Sequence, residues 1–317
     1  MKKILLSALC LVGLCAAVMG AHLLYLYTHC SFKPDAFRHS FVLNRSASAP
    51  ADLTLQGEVS AQLGQPFHYL GCGRQMTAYE SADHRYVIKF FNPRAIVQQE
   101  DFRKWGKIRR FCSLKWISKA YFKRRARFER LFQCYQTAFD ELRLEAGLIY
   151  VHLDRSTALS QTLCVVDEGG KSYKVALDTT PFVLQHKAEL VTTRFERLIR
   201  EREWESAKQH VLALHRLFVT RAEKGYTDRV QTIHNNYGFI GDLAVQIDMG
   251  GIVKERAVEL APAQDIYRVF SKVAGSLSWR YPPLAPYLAE FLETCRPAQP
   301  SNRALDLTSQ QEHRSTQ

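Results

Sequence analysis

The chain lacks the cysteine spacing of a zinc-binding or disulfide-stapled protein. None of the 8 cysteines in its 317 residues forms a Cys-x-x-Cys pair, which argues against a zinc site. The cysteines beyond the N-terminal segment occur singly and do not form a disulfide framework, although a single bridge remains open. We expect most of them to be buried as small apolar residues.

Two further absences narrow the class of protein. The chain has no internal repeat, and its charged fraction of 23% is close to average, so it is not a wholly disordered protein. Hydrophobic residues make up 46% of the chain. This length and composition are enough for one large two-lobed domain or two ordinary domains.

The N-terminal segment is apolar and free of strongly charged residues. Residues 4–27 contain no Asp, Glu, Lys or Arg and follow Lys2 and Lys3. A bilayer core of about 30 Å needs about 20 apolar helical residues. We therefore predict an uncleaved, single-pass membrane anchor within residues 1–30, with cleavage near Val18-Met19-Gly20 as the alternative.

The charges around this segment bear on its orientation. Lys2, Lys3 and the free amine favour a cytoplasmic N-terminus and a large domain outside the membrane. Lys33, Arg38 and Arg45 follow the segment closely and weaken this bias. An outside domain would meet little ATP if the protein is bacterial, which conflicts with an ATP-dependent function.

The positive charge of the chain is concentrated in one segment. Between Asp101 and Arg130 there are 12 Lys or Arg and two acids, a local balance of +10 out of a net charge of +12. Aromatic residues interleave with the basic ones from 103 to 130. The pattern favours docking on anionic lipid beside the anchor, and nucleic acid is the less favoured partner. A solvated helix face is the simpler interpretation, and no protein partner is indicated.

The order of predicted elements indicates an α+β fold. Strands, a long helix over 113–146 and further strands are followed mainly by helices, so we predict a strand-rich N-lobe and a helical C-lobe. The predicted organisation is an anchor (1–30), a linker (31–63), an N-lobe (64–190) with a basic helical insertion near 100–130, a C-lobe (191–295) and a disordered tail (296–317).

Two features of the N-lobe are typical of phosphate binding. Gly71 and Gly73 lie between two predicted strands, where glycine lets backbone N–H groups approach a phosphate. Met76 stands where the third glycine of a Gly-x-Gly-x-x-Gly run would be. Lys89 lies inside the apolar strand Tyr86–Phe90. Burying the charge of a lysine there costs free energy unless the side chain is paired or solvated.

The C-lobe contains Asp228, Asn236 and Asp248-Met249-Gly250, with a short apolar hairpin between the last two. Together with the glycine turn and Lys89, this ordered set resembles the protein-kinase-like superfamily from about Gly64 to Trp279. The whole chain is similar to a family of kinase-like proteins with an N-terminal anchor from chlamydia-type bacteria. That similarity bears on the fold and implies no particular activity.

The resemblance implies a two-lobed protein-kinase-like fold, behind a transmembrane helix, that binds ATP and Mg²⁺. By resemblance, Gly71 and Gly73 would cover the phosphates, and Lys89 would pair with the α- and β-phosphates. A glutamate of the long helix, Glu141 or else Glu145, would hold Lys89. Gln185 would lie at the hinge beside the adenine ring.

The resemblance assigns the remaining roles to the C-lobe. Asp228 would accept the proton of the attacking hydroxyl, and Asn236 and Asp248 would hold Mg²⁺ through oxygen atoms. The chain departs from the family here, because Tyr226-Thr227 replaces His-Arg. Seven residues separate Asp228 from Asn236, where the family has four; Asn235 is the alternative ligand.

These departures leave two functions open. One is an anchored phosphotransferase that acts on a hydroxyl of a protein or an envelope sugar. The other is a catalytically inactive pseudokinase that serves as a binding or scaffold module at the membrane. A third interpretation, a membrane adaptor working through the basic segment, requires the glycine turn, Lys89 and the Asn–Asp hairpin to coincide by chance.

Overall fold

The structure, a computed structural model, shows a mixed α+β chain, as predicted. It describes residues 13, 17, 18, 53–73, 75–92, 115–157, 159–229 and 232–297. The chain divides into two compact units, unit 1 (1–139 and 148–187) and unit 2 (140–147 and 188–317).

Several predicted segments lie outside the described residues. They are most of the anchor, the first part of the linker, residues 93–114 of the basic region and the tail from 298. Among the helices that the structure describes, none combines the length and apolar character needed to cross a membrane.

Unit 1 is built on a seven-stranded sheet with the order β4-β7-β3-β2-β1-β5-β6. β1 runs parallel to β5, and the other neighbours are antiparallel. The strands are β1 (Phe67–Cys72), β2 (Met76–Ser81), β3 (Tyr86–Phe91), β4 (Leu148–His152), β5 (Thr162–Val166), β6 (Ser172–Ala176) and β7 (Phe182–His186). A 3-10 turn, Leu177–Thr179, links β6 to β7. Gly169 and Gly170 turn the β5–β6 hairpin, as predicted.

Helix α1 (Leu53–Gln62) lies within the segment predicted to be a linker. The side chain of Val59 and that of Leu63, just after the helix, are buried in the same core as Ile88 and Phe90 of β3. Fully burying one such side chain contributes about 1.5–3 kcal/mol. The folded part of unit 1 therefore includes residues before 64, the predicted boundary.

Helix α2 (Lys115–Glu141) packs on β3 through aromatic rings. The Phe91 ring centroid lies 4.6 Å from that of Phe132 and 5.8 Å from that of Tyr135. The helical spacing of these apolar residues predicted the helix. It ends six residues before Gly147, the predicted stop, and the intervening residues form turns.

Unit 2 combines helices with two small sheets. Its helices are α3 (Val191–Arg200), α4 (Trp204–Glu223), α5 (Ile233–Asn236), α6 (Arg256–Leu260), α7 (Pro262–Arg280) and α8 (Ala285–Thr294), with a 3-10 turn at Pro282–Leu284. Its strands are β8 (Glu189–Leu190), β9 (Tyr226–Asp228), β10 (Tyr237–Ile240), β11 (Leu243–Gln246) and β12 (Ile252–Lys254), in the orders β11-β10-β8 and β12-β9.

Several predicted breaks in unit 2 are confirmed. The helical region breaks at Glu203, the residue before α4. The β10–β11 hairpin turns at Gly241 and Asp242. The core joins α4 to α7 through side chains such as Leu214, Phe218 and Phe270.

Candidate functional site

The glycine turn of unit 1 connects β1 to β2. The Gly73 N–H donates to the Met76 carbonyl at 2.8 Å. Neither Gly71 nor Gly73 has a positive φ. A Cβ at Gly71 would meet no atom within 4 Å, and one at Gly73 would meet only the Met76 carbonyl, at 3.6 Å. Neither backbone strain nor packing demands glycine here, so the lack of side chains leaves the backbone open to a ligand.

Asn92 anchors this turn, a role that the sequence analysis missed. The Asn92 side-chain amide donates to the Gly73 carbonyl at 2.7 Å, and its backbone N–H donates to the Gln75 carbonyl at 2.7 Å. Its amide oxygen accepts a hydrogen bond from Thr77 Oγ1 at 2.6 Å. Cys72, the last residue of β1 before the turn, is disulfide-bonded. The turn is therefore held in place from several sides.

Lys89 is the one residue of β3 that is not fully buried. Its Cα pairs with Ala78 of β2 and Val183 of β7, so it lies in the middle of the sheet. Side chains alternate along a strand, which puts Lys89 on the same face as Phe91. Phe91 packs against α2, so the lysine is on the face of the sheet that carries this helix.

Gln185 lies on β7, next to its last residue, and is 2% exposed. It pairs with Val87 of β3 and Leu148 of β4. Unit 1 ends at Lys187, two residues after Gln185. The contact of Gln185 with an adenine ring stays a prediction.

The two candidate partners of Lys89 differ in their surroundings. Glu141 ends α2, and its exposed carboxylate forms no ion pair within the part of the chain that the structure describes. Glu145 pairs with Lys224 Nζ at 2.6 Å. Both glutamates belong to unit 2, so the pairing of either with Lys89 stays a prediction.

The metal-ligand candidates Asn236 and Asp248 come together in unit 2. Tyr237 pairs with Gln246 across the β10–β11 hairpin. Beyond this pair, the Ile247 N–H donates to the Asn236 carbonyl at 2.7 Å. The chain reaches Asp248 one residue later, so the hairpin brings residues 236 and 248 to the same end.

The turn after β11 orients Asp248. Its Oδ1 accepts a hydrogen bond from the Gly250 N–H at 3.0 Å, and its carbonyl accepts one from Gln246 Nε2 at 2.9 Å. Asp248 is half-buried, whereas Met249, which replaces the family's Phe, is buried at 1% exposure. In the described ranges, no cluster of three or more His, Cys, Asp or Glu residues is arranged to hold a metal.

Asp228 is almost fully buried in unit 2. It ends β9 and is 1% exposed. Its Oδ2 accepts hydrogen bonds from Gln246 Nε2 at 2.9 Å and from the Tyr237 hydroxyl at 3.2 Å. Burial raises the pKa of Tyr237 to about 12, so this hydroxyl is protonated at neutral pH and can donate.

Arg221 of α4 supplies the opposite charge, and the sequence analysis missed it as well. It is 1% exposed, and its Nη1 donates to Gln246 Oε1 at 2.7 Å and to the Tyr237 hydroxyl at 3.2 Å. Arg221 and Asp228 therefore share the same two neutral residues. A buried charge is expensive unless it is compensated, and we call these four residues the Arg221 network.

A cleft of about 420 Å³ lies beside Asp228 in unit 2. Its charged lining includes Arg229 paired with Glu255 at 2.9 Å, and Arg268 paired with Asp265. The Thr227 hydroxyl donates to Asp265 Oδ1 at 3.2 Å. The cleft therefore has room for a polar molecule next to the end of β9.

No protein-family model and no curated protein matches this chain. The interpretation of the site therefore depends on its own residues and geometry.

Proposed function

We propose that this protein is a membrane-anchored, kinase-like protein that binds Mg–ATP. The observation that carries the proposal is the placement of Asn236 and Asp248, because the backbone hydrogen bond from Ile247 to Asn236 brings two residues with oxygen-bearing side chains to one end of a hairpin. A carboxylate and an amide suit Mg²⁺, which takes its remaining ligands from water and phosphates. The bound metal would neutralise charge on the phosphates.

The arrangement of unit 1 supports the same proposal. The protein-kinase pattern is a glycine turn over the phosphates, a lysine on the third strand and a helix that carries its partner. Here the turn joins β1 to β2, Lys89 lies on β3, and α2 packs on the face that Lys89 shares. The proposed roles are phosphate binding for Gly71, Gly73 and Lys89, lysine pairing for Glu141 or Glu145, and adenine contact for Gln185.

In an active enzyme, Asp228 would take the proton of an acceptor hydroxyl entering from the cleft beside it. The hydroxyl oxygen would form a bond to the γ-phosphorus as the bond between that phosphorus and the ADP oxygen breaks. The acceptor would be a hydroxyl of a protein or an envelope sugar.

The burial of Asp228 favours the second function, an inactive pseudokinase that acts as a scaffold. One oxygen of its carboxylate already accepts two hydrogen bonds. In this alternative Asp228 stabilises unit 2 through the Arg221 network and transfers no proton. Nucleotide binding would then occur without phosphate transfer.

Calorimetric titration of the full-length protein with ATP, with and without Mg²⁺, tests the shared part of the proposal. We expect Mg²⁺-dependent binding that Asp248→Ala abolishes. Asp242→Ala is the matched control, because Asp242 is exposed at the opposite end of the same hairpin and should leave binding unchanged. Absence of Mg²⁺-dependent ATP binding by the wild type would refute the proposal.

Transfer from radiolabelled ATP separates the two functions. In an active enzyme, Asp228→Asn should lower transfer by about 10²- to 10⁴-fold, the usual contribution of a general base. A pseudokinase should bind Mg–ATP without measurable transfer. Transfer that survives both Asp228→Asn and Asp248→Ala would contradict the assigned roles.

We also propose that residues 4–27 span the membrane once and that residues 103–130 bind anionic lipid at its surface. A reporter enzyme active in only one compartment, fused after residue 297, would locate unit 2. A signal from a compartment without ATP would count against the phosphotransferase and leave the scaffold.

A further inference from the structure

A second polar cavity lies in unit 2, at the start of the short helix α5. It has a volume of about 140 Å³ and lies between residues 232–234 and helix α7. Its lining residues are Thr232, Ile233, His234, Lys272, Val273 and Ser276. A water needs only about 10–15 Å³ measured in this way, so the cavity has room for a compact polyatomic ion.

The polar side chains of this cavity are hydrogen-bond donors, and none is an acid. Lys272 contributes a positive charge, Thr232 and Ser276 contribute hydroxyls, and His234 contributes an imidazole. Lys272 and Ser276 are four residues apart on α7 and so share one face of that helix. A lining of this kind suits a ligand with several negatively charged oxygens.

Lys272 lacks the kind of ion pair that two other lysines of unit 2 form. Lys208 pairs with Glu205 at 2.7 Å, and Lys224 pairs with Glu145 at 2.6 Å. Over the stretches of chain that the structure describes, no carboxylate forms an ion pair with Lys272. Its charge is therefore available to a ligand in the cavity.

The His234 ring leaves a second group unsatisfied. Its Nδ1 is buried and has no hydrogen-bond partner among the described residues. An unsatisfied buried polar atom is destabilising. His234 lines the cavity, so a ligand there would lie beside this ring.

We propose that this cavity is a binding site for a phosphate-like oxyanion. Lys272 supplies the charge, Thr232 and Ser276 donate hydrogen bonds, and His234 forms part of the wall. The ligand is free phosphate or the phosphate group of a larger molecule. Because the cavity lies wholly within unit 2, the proposal does not rest on ATP binding. Its occupant would connect the segment before Asn236 to α7.

Calorimetric titration of the full-length protein tests the site with two probes, inorganic phosphate and glycerol 3-phosphate, and with chloride at matched ionic strength. We expect saturable binding of at least one probe and none of chloride. Binding of phosphate alone would indicate the free ion, and tighter binding of glycerol 3-phosphate would indicate a phosphorylated molecule. Each result supports an oxyanion site.

Substitutions of the lining residues test whether the ligand binds in this cavity. Lys272→Met and Ser276→Ala change exposed or half-exposed side chains, and circular dichroism would check their fold. Loss of a charge-assisted hydrogen bond should weaken binding by about 10- to 100-fold for Lys272→Met, and Lys272→Arg should retain part of the affinity. Lys208→Met, which removes a half-exposed lysine of α4, is the matched control and should bind normally.

Two results would overturn the proposal: no saturable binding of either probe, or wild-type affinity in Lys272→Met. Asp248→Ala should retain phosphate binding, and Lys272→Met should retain Mg²⁺-dependent ATP binding. Failure of the oxyanion site is therefore distinguishable from failure of the nucleotide site.

Discussion

At the scale of single residues, the Arg221 network determines what the candidate site can do. Gln246 is its centre, because its amide oxygen accepts from Arg221 while its amide nitrogen donates to Asp228 and to the Asp248 carbonyl. One glutamine therefore links a buried arginine, a buried aspartate and the turn that orients Asp248, the proposed metal ligand. The resemblance to kinases identified Asp228 and Asp248 but gave no indication of Arg221 or Gln246.

Removal of Arg221 should strongly destabilise unit 2. Arg221→Met removes the hydrogen bonds from Arg221 to Gln246 and Tyr237 and takes away the positive charge near the buried Asp228. A hydrogen bond to a charged group contributes about 1.5–3 kcal/mol. Urea unfolding would measure the loss. Arg296→Met is the control, because Arg296 and its partner Glu293 are both exposed and an exposed pair contributes about 0–1 kcal/mol.

The double variant Arg221→Met with Asp228→Asn tests the coupling. Removing both charges should cost less than the sum of the two single variants, because neither charge is then left alone. Additive losses would show that the two residues act independently.

A buried histidine should make the stability of unit 1 depend on pH. His152 stacks on Phe182 with ring centroids 5.3 Å apart. Burial lowers its pKa below the usual 6.5, and the nearby Asp178 opposes this only in part. As the pH falls below about 6.5, the unfolded chain therefore binds a proton that the folded chain resists. Stability should be full above that pH and decline below it.

His152→Phe keeps an aromatic ring and removes the titrating group. Between about pH 7 and 5, the range in which histidine titrates, this variant should lose less stability than the wild type in denaturant unfolding. His68→Phe alters an exposed histidine of β1 and should keep the wild-type dependence. An unchanged slope in His152→Phe would assign the effect to other groups.

At the scale of elements, β10 shows how a local pattern and a distant contact combine. The apolar pattern around Gly241 and Asp242 predicted the hairpin with β11. The pairing of β10 with β8 brings Gly238 opposite Leu190, and no local signal announces it. A Cβ at Gly238 would lie 2.7 Å from the Glu189 carbonyl oxygen, so this glycine is required by packing.

Gly238→Ala should therefore force β8 away from β10. Overpacking of this kind typically costs about 1–3 kcal/mol, which thermal unfolding would detect. Gly275→Ala is the matched control, and it should raise the stability instead of lowering it. It lies within α7 and its Cβ would meet no atom within 4 Å, so it should stabilise the helix by about 0.5–1 kcal/mol. Equal effects of the two substitutions would contradict the packing argument.

The limits of helices α1 and α2 also depend on contacts that the local sequence pattern does not reveal. The apolar period of α2 predicted its position, but its end at Glu141 was not predicted. Residues after that end belong to unit 2, where Glu145 accepts a hydrogen bond from the Gln246 N–H at 2.8 Å and pairs with Lys224. Helix α1 was missed because it lies in a weakly patterned segment and is stabilised by packing of side chains such as Val59.

At the scale of the whole molecule, the chain has two units, each with a core of its own. Calorimetric unfolding should therefore show two transitions. Ile88→Ala should lower the transition of unit 1, and Leu214→Ala that of unit 2. Both side chains are fully buried, and such truncations cost about 2–5 kcal/mol. A single transition shifted equally by both variants would show that the units unfold together.

The sequence by itself determined the α+β class, the order of most elements and the hairpin that carries Asn236 and Asp248. These features follow from hydrophobic periodicity and turn residues, which act over a few neighbouring positions. Only the tertiary structure decided that Asp228 is buried with Arg221, that Asn92 anchors the glycine turn and that Lys272 lines a cavity with His234. These arrangements join residues distant in the chain, because a buried polar group must be satisfied by whichever partners the packing brings within reach.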